Sequence, residues 1–338
     1  MTRLNFIAGV AGVELTDAER SIFRTAAPLG LILFDRNLQD KEQIKRLIGD
    51  VRHEVGSDQF WVLIDQEGGR VQRLRPPLFP ALPAMRRLGV LYEDQPLEAL
   101  SAANDIAKLM GRHLLDFGIN VNCTPVLDVP QPGADEIIGN RSFGQDIDMI
   151  VALGMAISLG HISSGVLPVI KHIPGHGRAE ADSHKALPKI ASDHETLSRV
   201  DFAPFKGLNK MPLAMTAHVL LEAIDPSAPV SVSAKVIETV IRDEIGFDGF
   251  LMSDDVSMEA LEGTIGERVA ACLAAGCDGA LHCNGDLDEL RQVAENSTVL
   301  ADQAQLRFER SFDLIAQPQE FDEERALTRL HEEWAGLA

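Results

Sequence analysis

Short apolar runs recur along the chain, and the segments between them have the hydrophobic spacing of helices. The runs are nearly continuous, as expected of strands that are covered on both faces or that line a closed core. Strands that alternate with helices in this way are typical of a parallel α/β architecture. Eight runs fit a strand, and they are LNFIAG (4–9), LGLILF (29–34), FWVLID (60–65), INVNCTP (119–125), VLPVIK (166–171), PLAMTA (212–217), GFLMSD (249–254) and DGALHC (278–283).

Capping residues mark the helices between these runs. Asp40 begins a helical pattern that stops at Gly56, and Ser192 with Glu195 has the spacing of a capping box. No repeat or low-complexity linker interrupts the series, so we predict one catalytic domain over residues 1–338. The charged segment from about 300 to 338 is predicted to form helices packed on the outside of that domain.

Polar residues collect at one end of the predicted strands. Asp65, Lys171, His218, Asp254 and His282 all lie at or just past the carboxyl end of a run. That end is the catalytic face of a (β/α)8 barrel, although a doubly wound open sheet also binds ligands there. The count of eight strands favours a closed barrel over an open sheet. The predicted fold is therefore an α/β, single-domain (β/α)8 TIM-like barrel with C-terminal outer helices.

Composition and charge narrow the class of protein. The 338 residues are 45% hydrophobic and 24% charged, as expected of a globular protein with a large core. A net charge of −20 opposes binding to nucleic acid or to an anionic membrane surface. The start of the chain has no signal-peptide pattern and no apolar stretch is long enough to span a membrane, so we expect a cytoplasmic protein. The cysteines form no CxxC pair and are predicted to be buried thiols: Cys123, Cys272, Cys277 and Cys283.

The stretch KHIPGHGRAEADSH (171–184) contains three of the ten histidines and allows three interpretations. A phosphate-binding loop is disfavoured because the stretch has no GxxxxGK[ST] pattern and no clear helix start. A metal site stays open, because zinc-compatible ligands are present at His172, His176, Asp182 and His184, but no HxH or HExxH pair occurs. In the third interpretation, which we favour, Asp182 orients His184 as a proton donor near neutral pH.

A proton donor needs a partner, and Asp254 in GFLMSDDVSMEAL is the most conspicuous one. A carboxylate at the end of an apolar strand is either a nucleophile or a helix N-cap. Ser253, Asp254 and Asp255 could each provide the cap, so the residues themselves leave open which of them is available for chemistry.

Longer motifs resemble glycoside hydrolase family 3, and within it the bacterial β-N-acetylhexosaminidases of the NagZ type. They are IDQEGGRVQRL (64–74), PVLDV (125–129), GNRSFG (139–144), KHIPGHGRAEADSH (171–184) and VIRDEIGFDGFLMSDDVSM (240–258). The resemblance implies that Asp254 is the nucleophile and that His184 is the acid/base, assisted by Asp182. The DSH loop belongs to the N-acetylglucosaminidase branch, whereas most of the wider family takes its proton from a carboxylic acid supplied elsewhere.

The resemblance also implies a substrate and its binding residues. The sugar would be bound by Asp65, Arg73, Arg141, Lys171 and His172. Of these, Arg73 and His172 could instead be structural partners of the neighbouring carboxylates, and His176 is left without a role. The implied enzyme is a retaining exo-β-N-acetylglucosaminidase of peptidoglycan recycling, acting on GlcNAc-1,6-anhydroMurNAc muropeptides as a monomer without metal or organic cofactor.

Three alternatives remain at this point. A histidine acid would allow inorganic phosphate to replace water, which would make the enzyme a GlcNAc phosphorylase. The histidines could serve a metal-dependent barrel hydrolase, or Asp254 could be a helix cap in a non-catalytic sugar-binding protein. We also predict that the loop between His176 and Ala186 is poorly ordered or variably placed without ligand, because it is polar and contains glycine.

Overall fold

Eight parallel strands close into a barrel in the computed structural model, which describes residues 3–183, 185–315 and 320–332. In chain order the strands are β1 (Leu4–Ala8), β2 (Pro28–Leu33), β3 (Trp61–Ile64), β4 (Val121–Asn122), β5 (Leu167–Ile173), β6 (Leu213–Thr216), β7 (Phe250–Asp255) and β8 (Gly279–His282). Each strand pairs in parallel with the next along the chain, and β8 pairs with β1. All eight predicted runs therefore contain a strand, and the predicted closure is confirmed.

Helices connect the strands and cover the barrel from outside. They are α1 (Asp17–Ala26), α2 (Lys41–Val55), α3 (Met85–Asp94), α4 (Pro96–Phe117), α5 (Ile147–Ser163), α6 (His194–Arg199), α7 (Ala203–Gly207), α8 (Ala234–Val236), α9 (Ile265–Ala275), α10 (Leu287–Asn296), α11 (Asp302–Asp313) and α12 (Glu323–Glu332). Helix α8 continues as a π-helix over Ile237–Glu244. Two small sheets add to the loops, one joining Gln66–Gly68 to Val71–Gln72 and the other joining Lys189–Ile190 to Leu220–Leu221.

The predicted helix ends are correct in one case and wrong in another. Helix α2 has Asp40 as its N-cap and ends at Gly56, which takes the left-handed conformation that glycine favours. The predicted capping box at Ser192 is wrong, because Asp193 is the N-cap of α6 and its carboxylate accepts the Thr196 N–H at 2.7 Å. Ser and Asp are equally good caps, so their order in the chain could not decide between them.

Aromatic residues close the amino-terminal end of the barrel. The Trp61 ring at the start of β3 lies edge-on to the Phe250 ring, with centroids 4.8 Å apart, and 4.5 Å from the Phe308 ring of α11. The Trp61 Nε1–H donates to the Ser311 hydroxyl at 3.2 Å, so the indole is paired although it is buried. Helix α11 therefore covers the end of the barrel opposite the predicted site, whereas α12 packs against α4.

Other predictions concern segments rather than the barrel. All four cysteines are free and buried, as predicted. Among the described residues, no helix combines the length and the apolar character needed to cross a membrane. The assignment of residues 1–338 to one catalytic domain stays a prediction.

Candidate active site

A cavity of about 160 Å³ opens at the carboxyl ends of the barrel strands. Asp65 follows β3, Lys171 lies near the end of β5 and Asp254 lies near the end of β7. The cavity is lined by six of the residues that the sequence points to, namely Asp65, Arg73, Arg141, Lys171, His172 and Asp254. The structure thus brings together side chains that are far apart in the sequence at the face where barrel enzymes act.

Two of the five polar residues at predicted strand ends have structural roles. His218 is buried and donates from Nε2 to the Asp255 carbonyl at 3.0 Å, while its Nδ1 lies 2.7 Å from the Ser231 hydroxyl. His282 is also buried, and its Nε2 lies 2.9 Å from the Glu289 carboxylate of α10. The expectation that all five face one site is therefore correct for three of them.

A network of alternating charges forms one wall of the cavity. The Lys171 ammonium lies 2.9 Å from Asp65 Oδ1 and 2.7 Å from Glu67 Oε1. Arg141 binds both oxygens of Glu67 through Nε and Nη2, each at 2.8 Å. Arg73 donates to Asp65 Oδ2 at 3.2 Å and also lies over the Phe34 ring. The two carboxylates hold three cations in place, so the cations reach the cavity with fixed geometry.

The charges in this wall fix the ionisation of its members. Burial opposes ionisation of Asp65, but Lys171 and Arg73 outweigh it and hold the pKa of that carboxyl well below its usual value. Burial likewise opposes ionisation of Glu67, yet Arg141 and Lys171 lower its pKa to about 2. Burial disfavours the charged form of Lys171 as well, and the two carboxylates more than compensate, so its pKa is raised. All of these groups are charged at neutral pH.

Glu67 was not among the predicted site residues, although two signals point to it. Residues 65 and 67 are two positions apart in extended chain, so their side chains lie on the same side. Three cations near one site also need more than one carboxylate, because a buried unpaired charge is costly. Glu67 is 1% exposed, forms an ion pair with Lys171 and accepts from Arg141.

Asp128, in the PVLDV motif, is the second residue that sequence reasoning missed. Its Oδ2 lies 2.6 Å from His172 Nδ1, and its Oδ1 accepts the backbone N–H of His176 at 2.7 Å. Asp128 is fully buried, and the neighbouring His172 helps keep its pKa low in spite of burial. Because His172 Nδ1 is committed to this carboxylate, Nε2 is the ring nitrogen that is left for a ligand.

The two adjacent aspartates at the end of β7 have different surroundings. Asp254 lines the cavity, and its Oδ1 accepts the Asp255 backbone N–H at 2.8 Å. Asp255 instead accepts from Cys283 N–H at 3.1 Å and from the backbone and hydroxyl of Ser257. Asp255 thus fastens the loop, while Asp254 presents a carboxylate to the cavity.

Asp254 is ionised in spite of its burial. Burial favours the neutral acid, but His218, His172, the Asp255 N–H and Lys171 lower the pKa of Asp254 below its ordinary value. Burial also lowers the pKa of His218, which is therefore neutral at neutral pH. At neutral pH the pKa of Asp254 is still lowered by the hydrogen bond from Asp255 N–H and by the charge of Lys171. An ionised carboxylate in an enclosed cavity can act as a nucleophile.

Sequence comparison places the chain in a family. Residues 7–313 match the family model described as the glycosyl hydrolase family 3 N terminal domain. The chain belongs to glycosyl hydrolase family 3. Curated relatives of the chain include β-hexosaminidases from Bordetella avium, 37% identical over 81% of this chain and 79% of that protein, and from Neisseria meningitidis serogroup B, 35% identical over 87% and 83%.

Solved structures of similar proteins have the same fold. NagZ from Neisseria gonorrhoeae is 30% identical, with a TM-score of 0.84 that covers 100% of this chain and 96% of that one. A family 3 β-N-acetylglucosaminidase from Paenibacillus is 29% identical with a TM-score of 0.81, and this chain spans 62% of its length. The protein is therefore a family 3 glycoside hydrolase of the β-hexosaminidase type.

The predicted acid-bearing loop of this family 3 enzyme reaches the same cavity. Ser183 is 3% exposed and lines the cavity beside His176. Asp182 precedes it, with its Oδ2 3.6 Å from the Lys185 ammonium. The predicted acid/base His184 lies outside the described residues, so its role stays a prediction, as does the variable placement of the loop.

Two further observations concern the surroundings of the site. Within the described ranges, no group of three or more His, Cys, Asp or Glu side chains is arranged to hold a metal ion.

A larger hollow of about 670 Å³ lies between α3, α5 and the loop at Gly139, and it contains none of the predicted site residues. The smaller cavity, which the predicted site residues line, is therefore the candidate active site.

Proposed function

We propose that this protein is a retaining exo-β-N-acetylglucosaminidase in which Asp254 forms a covalent glycosyl-enzyme. The observation that carries the proposal is the contrast between two neighbouring carboxylates: Asp254 lines the cavity in its ionised form, whereas Asp255 is committed to backbone and hydroxyl donors. Retaining glycosidases need a carboxylate positioned to attack the anomeric carbon. NagZ from Neisseria gonorrhoeae, which has the same fold, is known in complex with N-trifluoroacetyl-D-glucosamine, which supports a GlcNAc-sized sugar in this cavity.

His184 is proposed as the acid that protonates the leaving oxygen and as the base that later activates water. Asp182 would orient the imidazole and favour its protonated form. Support comes from the position of Ser183, which stands between the two in the chain and lines the same cavity as Asp254. No metal or organic cofactor takes part in this proposal.

The charged wall would bind the sugar hydroxyls. Lys171 has carboxylate partners for two of its three N–H groups, so the third can reach a ligand. Asp65, His172, Arg73 and Arg141 would complete the binding set. Because the pairs with Asp65 and Glu67 exist before the substrate arrives, little side-chain entropy is lost on binding.

The proposed substrate is GlcNAc-1,6-anhydroMurNAc, with or without peptide, in peptidoglycan recycling in the cytoplasm. Arg70 supports an acidic leaving group. It is exposed at the cavity wall, and its Nη2 donates to the Glu136 and Ile137 carbonyls. No carboxylate of the described residues forms an ion pair with Arg70, so its charge is available to an anionic sugar.

The test compares Asp254→Ala with the control Asp255→Ala on a β-N-acetylglucosaminide, with the product anomer followed by NMR. We expect Asp254→Ala to lose nearly all activity while remaining folded. Asp255→Ala should instead lower the free energy of unfolding by about 2 kcal/mol, because the Cys283 and Ser257 donors lose their acceptor.

The wild-type product should be the β-anomer of free GlcNAc. An unchanged rate in Asp254→Ala, or release of the α-anomer, would refute the proposal. GlcNAc-1-phosphate as the main product in phosphate buffer would identify a phosphorylase instead, and activity that a chelator removes and zinc restores would identify a metal-dependent hydrolase.

A further inference from the structure

His176 lies in the cavity wall, and the sequence gives it no role. It is 3% exposed, and its Nε2 lies 3.2 Å from the Ser183 hydroxyl. Its Nδ1 is buried and has no hydrogen-bond partner among the described residues. A buried N–H without an acceptor is rarer than a buried acceptor without a donor, so the proton belongs on Nε2 and is donated to Ser183 Oγ.

Ser183 is held at two points. Its side chain is bound by His176, and its carbonyl accepts the Ala260 backbone N–H at 3.2 Å. Ala260 belongs to the loop that follows β7, the strand that carries Asp254. Ser183 therefore connects the wall that contains His176 to the loop beyond the nucleophile strand, and it directly follows Asp182 and precedes His184 in the chain.

The backbone of His176 is itself fixed. The Asp128 carboxylate that binds the His172 ring also accepts the His176 N–H. One residue further on, the Gly177 carbonyl accepts the Gln131 N–H at 2.9 Å. A Cβ at Gly177 would lie 2.2 Å from the Val129 carbonyl oxygen, so only glycine allows this close approach. The backbone at His176 is thus rigidly held, and the imidazole extends from it toward Ser183.

We propose that His176 is a positioning residue that sets the Asp182–His184 segment over the sugar by holding Ser183. The inference rests on the proposed function, because it assigns His176 a share in the placement of the acid/base. Burial lowers the pKa of His176 to about 4, so the ring stays neutral through the working pH range and donates a single N–H. Asp128 then links sugar binding through His172 to proton delivery through His176.

The experiment measures how the rate depends on the leaving group. His176→Leu and Ser183→Ala are assayed with alkyl and 4-nitrophenyl β-N-acetylglucosaminides, with His176→Gln as the matched variant that keeps a donor near Ser183. A misplaced acid slows substrates with poor leaving groups most, because only these need protonation. We expect kcat/KM to fall about tenfold or more for the alkyl substrate and less than about twofold for the nitrophenyl substrate.

Two comparisons separate positioning from general damage. His176→Gln should recover most of the alkyl rate, and the double variant His176→Leu, Ser183→Ala should be no slower than the worse single variant. Inhibition by free GlcNAc should be unchanged in all of them, because the sugar-binding wall is intact. Equal slowing of both substrates, or additive effects of the two substitutions, would overturn the inference.

His184→Ala distinguishes failure of the inference from failure of the proposed function. If His184→Ala lacks the leaving-group dependence, the proposed function itself fails. If His184→Ala shows the leaving-group dependence and the His176 and Ser183 variants do not, only the role of His176 is refuted. Ser183→Ala removes only one hydroxyl and should fold. If His176→Leu does not fold, the Ser183→Ala variant still tests the role of His176.

Discussion

At the scale of single residues, Asp201 is a buried carboxylate whose two oxygens differ. Arg178 Nε donates to Oδ2 at 2.7 Å, whereas Oδ1 is buried without a partner among the described residues. Burial raises the pKa of Asp201 to about 6, in spite of the opposing effect of Arg178. An unfolded Asp titrates near 3.9, so the folded protein binds more protons between about pH 4 and pH 6.

This difference predicts that stability falls as pH rises through that window. Asp201→Asn removes the titration, so the variant should gain about 2 kcal/mol relative to wild type between pH 4.5 and pH 7. Urea unfolding of both proteins at the two pH values measures the change. Parallel pH dependences for the two proteins would show that Asp201 does not titrate in this way.

The sequence predicts some of the site residues and misses others for physical reasons. Asp65, Lys171 and Asp254 lie at or near the carboxyl ends of apolar strands, and that position alone marks them. Glu67 and Asp128 are recognised only through the cations and the imidazole that they bind, and those partners come from distant parts of the chain. Asp254 and Asp255 are equivalent by pattern, and only hydrogen bonds made after folding separate them.

At the scale of the elements, α11 packs against the end of the barrel opposite the candidate active site. Phe308 is fully buried, with its ring against the Trp61 and Phe312 rings. The candidate site lies at the opposite end of the strands. We therefore expect a substitution at this end of the barrel to lower the stability of the protein and to leave its activity unchanged.

Phe308→Ala should therefore lower the free energy of unfolding by about 3–5 kcal/mol through the cavity it leaves. Its kcat/KM, measured well below the unfolding temperature, should equal that of wild type. Leu306→Ala is the control, because Leu306 is 56% exposed on the same helix and should change stability little. A similar stability for both variants, or lost activity in folded Phe308→Ala, would contradict this division of the barrel.

Element positions follow from the sequence better than element ends do. The eight runs are strands because their apolar side chains fill the core, which the pattern records directly. The two small sheets at Gln66–Gly68 and Lys189–Ile190 are formed by backbone pairing between segments of two or three residues, which are too short for a periodicity to reveal them. The π-helical turns after α8 likewise have no signal in the hydrophobic pattern.

At the scale of the whole molecule, a net charge of −20 repels an acidic substrate. A cation at the cavity wall offsets this repulsion locally, and Arg70 is positioned to do so. Arg75 is also exposed but does not line the cavity, which makes it a matched control.

Arg70→Gln should raise KM about threefold for a β-N-acetylglucosaminide with an anionic leaving sugar. The KM for a neutral nitrophenyl glycoside should not change, and Arg75→Gln should leave both values as in wild type. Measuring the anionic substrate at low and high salt checks the cause, because added salt screens the charge and should shrink the difference between wild type and Arg70→Gln. An equal rise for both substrates would contradict recognition of the anion.

The central claim is that Asp254 attacks the sugar. The most direct measurement is mass spectrometry of peptides from the protein after incubation with a 5-fluoro N-acetylglucosaminyl fluoride, which slows release of a glycosyl-enzyme. We predict one added sugar on the peptide that contains Asp254, and none in Asp254→Ala. A sugar attached to another residue, or turnover without any adduct, would contradict the account.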